Sequence, residues 1–139
     1  MLALRESGYA LYVPFGENTR CDLLIEQDDC ISRAQCKTGR LRKGAVVFAV
    51  CSCYGHHRNP EAARRSYQGQ VDYFAVFCPE TCAAYLVPIG DITARTTAAL
   101  RIAPPRNGQR RLIRFASDYE LAPATAGLRG LSGGRGSSA

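Results

Sequence analysis

Residues 22–38 constrain this chain more than any other stretch. Asp22-Leu23-Leu24-Ile25-Glu26 is a short run with an apolar centre, and Gln27-Asp28-Asp29-Cys30 has the composition of a tight turn. The run after it, residues 31–38, returns as a second strand, so the whole reads as an antiparallel hairpin. Side chains alternate faces along a strand. Gln35 and Lys37 therefore project on one side, and Ala34, Cys36 and Thr38 on the other. Pairing across the hairpin gathers Asp22, Gln35 and Lys37 on one face.

That trio suits one kind of chemistry. Phosphodiester hydrolysis uses a hard cation to polarise a phosphoryl oxygen and to lower the pKa of the attacking water. Magnesium takes oxygen ligands, one or two of them from protein. Asp22 offers a carboxylate, Gln35 an amide oxygen, and Cys36 between them a backbone carbonyl. Lys37 would stabilise the charge that develops on phosphate. Taken alone the pattern is short, and a strand with two solvated polar residues is much the commoner explanation of it.

The flanks add weight. The blocks Pro14-Phe15-Gly16-Glu17-Asn18 to Asp22, Gln35-Cys36-Lys37-Thr38-Gly39-Arg40, and Tyr67-Gln68-Gly69-Gln70-Val71-Asp72-Tyr73-Phe74 resemble the PD-(D/E)XK nuclease superfamily. More narrowly, the chain is similar to the group I intron-associated, homing-type endonuclease branch, in which glutamine replaces the acid of the (D/E)XK half. The resemblance implies an α/β fold, with a restriction-endonuclease-like mixed β-sheet core flanked by helices. It implies Asp22, Gln35 and Lys37 as catalytic residues, with Asp22, Gln35 and the Cys36 carbonyl as ligands to Mg²⁺ or Mn²⁺. It also implies DNA as partner and a possible homo-oligomer. Members of this branch open with a longer helix bearing a glutamate; here residues 1–8 resemble its last turns, so the N-terminal helix reads as truncated. Leu2 and Leu4 are expected to hold it, Glu6 lies too near its end to take the glutamate's place, and Glu17 is a minor alternative carboxylate.

With 139 residues the chain fits one domain, here residues 1–121, followed by a Gly-, Ser- and Ala-rich segment, 122–139, expected to be disordered. A formal net charge of +6 favours an acidic partner. No apolar run is long enough to span a bilayer and no signal peptide is evident, which suggests the cytoplasm. Three basic groups are candidate DNA contacts: Arg40, Arg42 and Lys43; Arg58, Arg64 and Arg65, with His56 and His57; and Arg110 and Arg111, with Arg106 and Arg114. Asn107 and Gln109 are candidates for contacts to base edges.

Seven cysteines, an odd number, argue against a disulfide framework. Cys51, Cys53, Cys78 and Cys82 form a candidate zinc set, but C-x-C and C-x3-C depart from the usual C-x2-C knuckle. Cysteine as a small buried hydrophobe is the favoured reading. Further strands are expected at residues 10–13, 45–53, 71–77, 84–87, 100–103 and 110–115. Asn59-Pro60 suggests a helix over 60–67. The resulting expectation is a metal-dependent DNA endonuclease; the alternative is a nuclease-fold DNA-binding module with impaired catalysis.

Overall fold

A computed structural model describes residues 1–17, 19–53, 64–108 and 110–122. Helix α1 (Leu2–Glu6) and strand β1 (Ala10–Tyr12) precede the hairpin of β2 (Leu23–Gln27) and β3 (Cys30–Thr38). Four short strands follow: β4 (Arg40–Arg42), β5 (Ala45–Ala49), β6 (Cys51–Cys53) and β7 (Arg64–Ser66). A second long hairpin joins β8 (Tyr73–Cys78) to β9 (Ala83–Pro88), and β10 (Thr97–Arg101) comes last.

The first hairpin pairs Leu23 with Ala34 and Gln27 with Cys30. Its two turn residues, Asp28 and Asp29, both have positive φ, 52° and 61°. That conformation matches the strand twist, and aspartate tolerates it better than most residues. The turn between β4 and β5 repeats the solution with Lys43 (φ 49°) and Gly44 (φ 73°).

The main sheet has the order β1-β2-β3-β8-β9. Only β3 and β8 run parallel, with Ala34 beside Tyr73 and Thr38 beside Phe77. A parallel pair needs a crossover, most often a helix. Here the crossover contains β4 and β5, which join β10 in a second sheet. That sheet covers one face of β8 and β9 through Val46, Phe48 and Leu100 against Phe74, Val76 and Val87. Helix α1 covers the other face, where Leu4 packs with Leu23, Ile25 and Ala34. The register is pinned at the start of the parallel pair. Asp72 accepts from the Arg33 N–H (2.7 Å) and from its guanidinium (3.3 Å). These side-chain and backbone hydrogen bonds hold the Asp72 carboxyl below its ordinary value.

Gly39 marks where β3 passes against the second sheet. A Cβ there would lie 2.6 Å from Val46 Cγ1 and 3.0 Å from Val76 Cγ1, and both valines are fully buried. Gly39→Ala should therefore cost about 1–3 kcal/mol, as overpacking does. Denaturant unfolding of the variant checks this.

Several expectations need correction. Among the described residues the flanking helices reduce to α1, with 3-10 turns at Ile89–Asp91 and Ala116–Asp118. The proposed helix over 60–67 is not one where it is described, because Arg64–Ser66 pairs with Cys51–Cys53 as strand β7. The single strand over 45–53 breaks at Val50, whose N–H donates to Thr96, so that β5 and β6 join different sheets. The last strand starts earlier than expected, at Thr97. Residues 110–115 supply an isolated bridge, Arg101 to Phe115, rather than a strand. Leu4 holds α1 as expected, but Leu2 is 72% exposed. Asn18, His56, His57, Arg58, Gln109, the segment 123–139 and the side chain of Cys53 lie outside the described residues.

Candidate active site

Asp22 stands one residue before β2, and its N–H donates to the Ala34 carbonyl at 3.0 Å. The pairing of the hairpin thus reaches Asp22, and alternation turns its side chain away from buried Leu23, onto the face of Gln35. Strand β3 runs on past the end of β2, so the Cys36 N–H would lack a strand partner. The Asp22 carboxylate supplies one: Oδ2 accepts from Cys36 N at 2.9 Å and from Gln35 Nε2 at 2.6 Å. The expected face is assembled at the point where the ladder opens.

Gln35 at this position has a clear electrostatic consequence. A second carboxylate so close to Asp22 would repel it, whereas the amide donates a hydrogen bond and keeps Oε1 as an oxygen donor. Lys37 projects from the same face. Its Nζ lies 3.4 Å from the Tyr67 hydroxyl and 4.6 Å from the Tyr67 ring centroid. Cys36 points the other way, half-buried against the core under α1. Burial, and then the charge of Asp22, push its thiol pKa up. With its thiol turned to the core under α1, Cys36 meets the Asp22 side through its backbone.

The oxygens this face offers are one carboxylate, one amide oxygen and one backbone carbonyl. Among the described residues no group of three or more His, Cys, Asp or Glu gathers as a metal site. Hard oxygen donors with a single charge fit a magnesium-like ion that keeps much of its water. Three of the candidate zinc cysteines have described side chains. The Cys51 thiol faces the Thr96 carbonyl (3.9 Å), buried Cys78 faces Glu80 (3.3 Å), and Cys82 faces the Pro79 carbonyl (3.4 Å). Glu17 is exposed on its loop, while Glu6 lines a cavity of about 580 Å³ beneath α1 that also touches Cys36 and Lys37.

Arg40, Arg42 and Lys43 are exposed on β4 and its turn, directly after β3. Arg40 also pairs with Glu80 at 3.7 Å. Arg64 and Arg65 are exposed on β7, one strand-end from Tyr67. Arg64 lines a cavity of about 680 Å³ together with Tyr67, Gln68 and Arg95; Arg95 had not been singled out. Arg106, Arg110 and Arg111 are exposed, and Arg114 half-buried, in the stretch that follows β10. Asn107 is exposed in the same stretch. Sequence reasoning also missed Arg20, whose guanidinium donates to Gln70, to Ser52 Oγ (2.8 Å) and to the Ser66 carbonyl (3.0 Å).

The sequence model of a family described as PD-(D/E)XK endonuclease matches residues 1–122. The chain belongs to that family. Its fold agrees: the structure of a bacterial homing endonuclease, I-Ssp6803I, matches with a TM-score of 0.67. The match covers 96% of this chain and 89% of that chain at 18% identity. No curated protein matches the chain. Within the family pattern, this member carries Gln35-Cys36-Lys37 where the name calls for an acid, any residue and lysine.

Proposed function

We propose that the chain is a DNA endonuclease dependent on Mg²⁺ or Mn²⁺, and that Asp22, Gln35 and Lys37 carry its chemistry. The observation behind this reading is the Asp22 carboxylate, which draws together Gln35 and the Cys36 N–H on the face from which Lys37 projects. When bound, the cation polarises the scissile phosphate and eases deprotonation of the attacking water. Asp22, Gln35 Oε1 and the Cys36 carbonyl are the residues that would hold it. The Lys37 ammonium provides positive charge where negative charge grows on the phosphate. Arg40, Arg42 and Lys43 extend the basic surface from the end of β3, and Arg64 and Arg65 add to it from β7. Arg110 and Arg111 are further candidates for phosphate contact, as is Arg58, which lies outside the described residues. Such contacts make binding fall steeply with salt.

Supercoiled and linear duplex DNA, offered with Mg²⁺, with Mn²⁺ or with a chelator, test the reading. Nicking in either metal and none in chelator is expected. Equal cleavage in chelator would exclude metal-dependent chemistry. Salt-sensitive binding without cleavage in either metal would identify the DNA-binding module instead.

A further inference from the structure

Lysine is a poor choice for a precisely placed charge, because its head rides on a flexible four-carbon stem. Among the described residues Lys37 makes no ion pair. A carboxylate partner would fix the head but cancel the charge it offers to phosphate. Tyr67 holds it differently. Its hydroxyl lies 3.4 Å from Lys37 Nζ, and its ring centroid 4.6 Å away. A phenol oxygen and an aromatic face both attract an ammonium and leave its net charge intact.

Tyr67 is itself rigidly set. It is buried, and its ring meets Phe74 edge-on at 5.7 Å. The Arg20 guanidinium lies 4.3 Å from the same ring centroid. Arg20 in turn is tied to Ser52 on β6 and to Gln70 and the Ser66 carbonyl on either side of Tyr67. An arginine fork anchored at three points loses little freedom per bond.

We propose that Tyr67, clamped by Arg20, is the positioning residue that places the Lys37 ammonium for phosphodiester cleavage. This rests on the reading of Lys37 as catalytic. Tyr67→Phe is the informative variant, because it keeps the ring and removes only the hydroxyl. Three measurements on the full chain are needed: ¹⁵N relaxation at Lys37 Nζ, single-turnover cleavage, and DNA affinity in Ca²⁺ with thermal melting alongside.

The Lys37 order parameter should fall, and cleavage should slow about 3- to 10-fold, as loss of one hydrogen bond implies. Affinity and melting should stay at wild-type values. Arg20→Lys, which keeps the charge and loses the fork, should shift both readouts in the same direction. An unchanged order parameter in Tyr67→Phe overturns the proposal. So does unchanged cleavage by Tyr67→Phe while Lys37→Ala is inactive. Cleavage by Lys37→Ala at the wild-type rate is a separate failure, which removes the catalytic reading and this role with it.

Discussion

Asp22→Asn is expected to lower single-turnover DNA cleavage about a thousandfold, equivalent to roughly 4 kcal/mol of transition-state stabilisation. The substitution is nearly isosteric. The asparagine Oδ1 can still accept from the Cys36 N–H and from Gln35, the two bonds that Asp22 accepts at 2.9 and 2.6 Å. What disappears is the one formal negative charge among the proposed donors. Because Asp22 is exposed and those hydrogen bonds persist, thermal melting should barely move. A large loss of rate at constant stability separates an electrostatic role from a scaffolding one. If Asp22→Asn melted far lower and lost activity in proportion, its carboxylate would be a strand cap and nothing more.

Lys37→Ala is expected to slow cleavage about 10²- to 10³-fold, the range for removing one preorganised donor from a transition state. Among the described residues the ammonium rests against Tyr67 and forms no ion pair, so its removal strands no carboxylate there. Stability should change little. Lys37→Arg should recover only part of the rate, since a planar guanidinium distributes its charge differently from an ammonium. DNA affinity in Ca²⁺ should remain near wild type if Arg40, Arg42 and Lys43 supply most phosphate contacts. A Lys37→Ala enzyme that binds DNA weakly but cleaves normally at saturation would make Lys37 a binding residue.

The hairpin and its polar face were legible in the sequence because their determinants are local. An apolar centre, a turn of four polar residues and strict alternation place Asp22 opposite Gln35 without tertiary information. Arg20 was not legible for the opposite reason. Its partners, at 52 and in the stretch 66–70, lie 32 or more residues from it in sequence, and the two groups meet only when β6 pairs with β7.

The same pairing explains the mistaken helix. Asn59-Pro60 is a sound local start signal, but Arg64–Ser66 is captured as a strand by Cys51–Cys53. The break at Val50 follows similar logic. The apolar run over 45–53 carries no glycine or proline, and the change of sheet depends on Thr96, which receives the Val50 N–H. Asp72, noted only as part of a family block, proved to fix the β3–β8 register through Arg33. A lone acid directly before an aromatic strand gives no hint of that partner.

The central claim is that the face bearing Asp22, Gln35 and Lys37 hydrolyses DNA. The most direct test is cleavage of one supercoiled plasmid in Mg²⁺ by wild type, Asp22→Asn and Lys37→Ala, purified identically and matched by thermal melting. Nicking by wild type and a loss of at least about two orders of magnitude in each variant are expected. Equal nicking by all three folded proteins would contradict it.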